Sequence, residues 1–177
     1  VRTNVCVRTK QKGKIKLVTE ILDQEGKKVA KAISTSHQAD SIFYHQKLQM
    51  KSPHLWSVSS PYLYSVLSKV FVDGKMADCY LTTMGIRSID FDTNKGFLLN
   101  GQPFKLKGVC LHHDLGPIGA AVNVAALKRQ LRLLKEMGSN AIRTSHNPPS
   151  REFLQLTDSM GFVVQVEAFD EWKLPRT

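Results

Sequence analysis

Residues 140–166 read Asn140-Ala141-Ile142-Arg143-Thr144-Ser145-His146-Asn147-Pro148-Pro149-Ser150, Arg151-Glu152-Phe153-Leu154-Gln155-Leu156-Thr157-Asp158-Ser159-Met160-Gly161, then Phe162-Val163-Val164-Gln165-Val166. The first run is short and ends in two prolines, which predicts a strand over 140–144 and then a turn. Ser150 is placed to cap a helix carrying Phe153, Leu154 and Met160, and Gly161 to stop it. Residues 162–166 are apolar almost throughout, the pattern of a strand in a sheet buried on both faces. Strand, helix, strand in 27 residues is the signature of a parallel sheet with crossover helices.

Upstream the pattern repeats. Val124, Leu127, Leu131 and Leu134 fall at spacings of three, four and three, one face of an amphipathic helix. Asn123 is placed to cap it and Gly138 to end it. Each of those leucines contributes roughly 1.5–3 kcal/mol if buried. Before it, Gly108-Val109 leads into a loop rich in His, Asp, Gly and Pro. Earlier still, Phe97-Leu98-Leu99 and Phe104-Lys105-Leu106 flank Asn100-Gly101, a strong hairpin signal.

The first half has a different period. Val5 and Val7 alternate with polar neighbours, and so do Ile15, Leu17 and Ile21. Asp23-Gln24-Glu25-Gly26 is a turn, and residues 27–33 begin a return strand. Ile42, Tyr44 and Leu48 form another alternating set. Tyr62, Tyr64 and Val66 follow, then the turn Asp73-Gly74 and a last strand over 79–86. About seven short strands without a helical period predict a β-sandwich of immunoglobulin type.

The 177 residues carry 25 Lys and Arg against 15 Asp and Glu, a net charge of +10. That balance raises the question of nucleic acid. The basic residues do not cluster, however: Lys10, Lys12, Lys14 and Lys16 alternate with other residues, as on the solvent face of a hairpin. No nucleic-acid motif accompanies them, so no such partner is expected. No apolar run approaches the ~20 residues of a membrane span, and no signal-peptide pattern is read at the N-terminus, which leaves localisation open. Cys6, Cys79 and Cys110 form no CxxC pair, which argues against a zinc site. One disulfide is allowed by count, and free buried thiols are the expectation.

Three stretches carry a resemblance to a known family. The first runs from Gly85-Ile86-Arg87 through Phe97-Leu98-Leu99-Asn100-Gly101-Gln102-Pro103 to Lys107-Gly108-Val109. The second is Asn140-Ala141-Ile142-Arg143-Thr144-Ser145-His146-Asn147-Pro148, with Asp158-Ser159-Met160-Gly161. The third is Glu167-Ala168-Phe169-Asp170-Glu171-Trp172. Together they resemble glycoside hydrolase family 2, the β-galactosidase and β-glucuronidase family. Leu55-Trp56 and Pro61-Tyr62-Leu63-Tyr64 are similar to the sandwich domain of that family. Asn147 stands where the family signature commonly has Tyr, and Cys110 where relatives often have Asn.

The resemblance implies an immunoglobulin-like β-sandwich over 1–88. Residues 89–177 would then supply the first three β-strands and two helices of a truncated (β/α)8 TIM barrel. It implies a retaining exo-β-glycosidase, most often a β-galactosidase, acting on terminal β-linked sugars. Such a reaction needs two glutamates about 5–5.5 Å apart, one acid/base and one nucleophile. The family's acid/base follows an asparagine in an Asn-Glu pair. This sequence contains no Asn-Glu dipeptide, so neither catalytic glutamate is expected in it, and the chain alone is expected to be inactive.

What the resemblance assigns is a supporting cast. It places sugar contacts on His112, His146 and Asn147, and on His113 and Asp114 in the loop after the first barrel strand, where barrel active sites are built. Asp114 falls where β-glucuronidases carry an aspartate. Arg143 would support the nucleophile, since a nearby cation keeps a carboxylate ionised. The plainer alternatives are a polar loop for His112, His113 and Asp114, a capping turn for His146, and an ion pair between Arg143 and an acid such as Glu167. No cofactor is required. In relatives with an active-site magnesium, an acid at the position of Glu171 is a ligand. A non-catalytic carbohydrate-binding or interaction module is the alternative function, and an open strand edge in a partial barrel favours a homo-oligomer.

Overall fold

A computed structural model describes residues 2–6, 13–37 and 41–169. They form two compact units, residues 1–54 with 63–86 and residues 55–62 with 87–177.

In the first unit, β2 (Lys14–Leu22), β3 (Lys28–His37), β5 (Tyr64–Val72) and β6 (Lys75–Met84) form an antiparallel sheet in the order β3-β2-β5-β6. A separate antiparallel pair joins β1 (Arg2–Cys6) to β4 (Ser41–His45). The predicted turn at 23–26 forms: Asp23 Oδ1 accepts the amides of Glu25 at 3.1 Å and Lys27 at 2.8 Å. The two-residue period sorts the faces of β2. Ile15, Leu17 and Ile21 are buried, and Ile15 and Leu17 pack with Tyr44 of β4, with Ile42 and Val70 against them. On the other face Glu20 is ion-paired with Lys28, Lys31 and Lys69. Six strands stand among the described residues of this unit where about seven were expected, and Leu48 lies outside β4 and Tyr62 precedes β5. Val7, Lys10 and Lys12 fall outside the described residues.

The second unit opens with the strands β7 (Ile89–Asp92), β8 (Gly96–Leu99) and β9 (Gln102–Pro103). The β8–β9 turn is Asn100-Gly101, with φ of 53° and 75°. Both positions need the left-handed region, which glycine and asparagine tolerate best. Next come β10 (Gly108–His112), β11 (Ala141–Ser145) and β12 (Val163–Val166), a parallel sheet in the order β10-β11-β12. The crossovers are α1 (Val124–Glu136) and α2 (Arg151–Met160). Asn123 caps α1 by accepting the Ala126 amide at 3.0 Å, and Ser150 caps α2 by accepting that of Phe153 at 3.2 Å. Gly161 ends α2 at φ 74°.

The core of this unit lies between helices and sheet: Leu127, Leu131, Ile142, Phe153 and Phe162 are buried together, with Val109 and Val164 against them. Val124 is exposed, because it sits at the open first turn of α1.

Two expectations are corrected. Residues 162–166 are not buried on both faces: Phe162 and Val163 are buried, whereas Gln165 and Val166 are exposed. Burial fades along the strand on both faces: Val163 is covered where Gln165 is not, and Val164 is partly covered where Val166 is exposed. Cys79 and Cys110 are free thiols as read, but exposed, since each lies on an uncovered sheet face.

Candidate active site

Parallel pairing decides what the sheet offers. Cys110 is opposite Arg143, and Arg143 is opposite Gln165. Because side chains alternate, these three share the face turned away from the helices, while Val109, Ile142 and Val164 share the packed one. All three strands run the same way, so His112, His146 and Glu167 emerge at one edge, the C-terminal end of the sheet. That is the edge on which parallel α/β folds carry their sites.

At this edge Glu167 is shared. Its Oε1 accepts Nε–H of Arg143, and its Oε2 lies 2.7 Å from Nδ1 of His146. Its backbone N–H donates to Thr144 Oγ1 at 3.1 Å, which ties the end of β12 to β11. Arg143 also donates from Nη1 to the Cys110 thiol at 3.7 Å. The rings of His112 and His146 meet edge to face with centroids 5.6 Å apart. Glu167 and His146 are mostly covered, and Arg143 is about two-fifths exposed.

The electrostatics follow from these contacts. Desolvation works to raise the Glu167 carboxyl, but the hydrogen bonds from His146 and Arg143 and their charge outweigh it, and the net shift is downward. Glu167 is therefore ionised at neutral pH. Arg143 moves upward, through its hydrogen bond to Glu167 first and that to Cys110 second.

The other candidates lie beside this group. His113, Asp114 and Asn147 line a small recess of about 50 Å³ with Leu111 and Phe153, and His112 borders it as well. The carboxylate of Asp114 shapes its own loop by accepting the Gly116 amide at 2.6 Å. Asp170, Glu171 and Trp172 lie outside the described residues, so the metal reading of Glu171 rests on sequence alone. Among the described residues no group of three His, Cys, Asp or Glu side chains is arranged to hold a metal.

Of the residues singled out from sequence, the structure gathers His112, Arg143 and His146. It adds Glu167 and Cys110, which were not among the predicted site residues. The sequence names Glu167 only as an acid for the plainer ion-pair reading of Arg143, and that ion pair is present.

Comparisons with known proteins identify the family. The sequence model described as "Glycosyl hydrolases family 2" matches residues 1–87, and that described as "Glycosyl hydrolases family 2, TIM barrel domain" matches residues 92–172. Beta-galactosidase BoGH2A of Bacteroides ovatus is 46% identical over 165 residues, 92% of this chain and 19% of that protein. A putative beta-glucuronidase of Formosa agariphila is 39% identical over 158 residues, 89% of this chain and 15% of that protein. A crystal structure of a glycosyl hydrolase family 2 member from Bacteroides cellulosilyticus superposes with a TM-score of 0.92 at 39% identity, covering 97% of this chain and 24% of that one. The chain thus spans between 15% and 24% of the length of these relatives.

Proposed function

We propose, from the premise that this chain belongs to glycosyl hydrolase family 2, that it is part of a retaining exo-β-glycosidase hydrolysing terminal β-linked sugars, and that its substrate is a β-galactoside. The observation that carries this reading is the meeting of His112, Arg143 and His146 at one strand-end edge, in the region matched by the family's barrel model. A binding sandwich has no need of such a group on its neighbouring barrel strands.

The roles follow from donor chemistry. A guanidinium has five N–H donors in a rigid fork. Two of those on Arg143 are directed to Glu167 and Cys110, and the remainder serve the nucleophilic glutamate of the parent enzyme. A cation there keeps that carboxylate ionised and in place. His112 and His146 hold sugar hydroxyls, and His113, Asp114 and Asn147 extend the sugar contacts along the recess. The two glutamates that exchange the glycosidic bond belong to the parent, so the 177-residue chain is inactive alone. No cofactor is needed, although Glu171 would hold magnesium if the parent is one of the metal-bearing members. The sandwich and barrel sequences divide at 88/89, while residues 55–62 belong to the same compact unit as the barrel strands. The partners are carbohydrate and a second copy of the protein, not nucleic acid or membrane.

A β-glucuronide is the second reading. Its support is Asp114, at a position where β-glucuronidases carry an aspartate, together with the glucuronidase relative. The galactoside is preferred because BoGH2A is the more similar of the two. Assaying the parent enzyme on nitrophenyl β-galactoside and β-glucuronide decides between them. Higher kcat/KM on the glucuronide reverses the choice, and turnover of neither removes the glycosidase reading.

A further inference from the structure

We propose that Glu167 is a positioning residue, whose two carboxylate oxygens lock Arg143 and His146 into one arrangement and hold His146 in the tautomer protonated on Nδ1. Its catalytic consequence rests on the glycosidase reading above, but the anchor itself is a property of this chain.

The geometry supports it from three directions. Each oxygen of Glu167 has its own partner, Arg143 on Oε1 and His146 on Oε2. An ionised carboxylate only accepts hydrogen bonds. The contact of 2.7 Å to Nδ1 therefore requires a proton on Nδ1. In the neutral ring the lone pair then sits on Nε2, and a sugar hydroxyl meeting that nitrogen must donate. The main chain of Glu167 is itself held, by Thr144 Oγ1 at 3.1 Å. The anchor is thus braced from β11, the strand that carries Arg143 and precedes His146. Moving Glu167 would displace both residues at once, and small misplacements of positioning groups cost catalysis steeply.

The test has two arms. In the first, ¹⁵N NMR of this chain at neutral pH reads the tautomer of His146. The wild-type chain is expected to show Nδ1 protonated. Glu167→Gln keeps the shape but offers one acceptor and one NH₂ donor, so the proton is expected to move to Nε2. Glu167→Asp keeps the charge and should retain the Nδ1 proton in a fraction of molecules. Amide spectra of α1 and α2 report that each variant is folded. In the second arm, Glu167→Gln in the parent enzyme should lower kcat by at least about tenfold with a much smaller change in KM, and Glu167→Asp should recover part of the loss. A wild-type His146 protonated on Nε2 alone, or a tautomer unchanged by Glu167→Gln, overturns the anchor. An unchanged kcat overturns its positioning role. A wild-type parent inactive on β-glycosides sinks the enzyme reading, and the tautomer measurement still decides the anchor.

Discussion

The indole of Trp56 donates its Nε1–H to the main-chain carbonyl of Asp158, 2.8 Å away and 102 residues later. Trp56 is fully buried, its own carbonyl accepts Nδ2–H of Asn100 at 3.0 Å, and the guanidinium of Arg87 lies 4.3 Å from its ring centre. Two residues on, Val58 O accepts the ammonium of Lys135, which also reaches Gly161 O at 2.7 Å. Residues 55–62 are thus part of the unit that carries the site.

Trp56→Ala should therefore cost that unit about 3–5 kcal/mol, the usual penalty for removing a buried tryptophan. Urea unfolding followed by the circular dichroism of α1 and α2 measures it. A change within ~0.5 kcal/mol would show that the indole only covers the surface.

The isolated 177-residue chain should not hydrolyse nitrophenyl β-glycosides, because it contains no Asn-Glu pair to supply the acid/base. Turnover by chain purified free of host glycosidases would place the chemistry on residues already present.

In the parent enzyme, Arg143→Ala should lower kcat more than about tenfold. It removes the cation that keeps the nucleophile ionised, and it releases Glu167 from one of its two partners. Steady-state kinetics on the better nitrophenyl substrate reads this directly. An unaltered kcat would leave Arg143 as the structural half of an ion pair.

His146→Ala in the parent should weaken a transition-state analogue more than it weakens substrate, since contacts that tighten in the transition state are those that accelerate the reaction. Inhibition constants and KM are compared for the same variant. Equal losses would confine His146 to ground-state binding.

The Glu167 cluster should fail in acid. The folded-state pKa of Glu167 lies below its ordinary value, so the unfolded chain binds this proton more readily. The contribution to stability is present above the ordinary glutamate range of about pH 4.3 and is lost as pH falls through the folded value. Urea midpoints of wild type and Glu167→Gln should differ most above the ordinary glutamate range and converge as pH falls through the lowered folded-state value. A gap that widens on acidification would contradict the assigned shift.

The sequence by itself determined the elements and their order. Local period and local capping chemistry decide these, and both act within a few residues. The 3.6-residue spacing of Leu127 and Leu131, the caps Asn123 and Ser150, and the stop at Gly161 all stand as read. So does Asn100-Gly101, whose backbone angles few other pairs accept. The placement of Arg143 inside a strand and of His146 just past its end was legible for the same reason. Tertiary structure alone decided the further meeting of Glu167 with His146, the turning of Cys110 toward Arg143, and the membership of residues 55–62. These contacts join residues from 21 to 102 positions apart, and no local pattern encodes which distant partner a polar group will meet. The exposure of Gln165 and Val166 was likewise a tertiary matter, because burial depends on what packs above a strand and an apolar run records only that it is apolar.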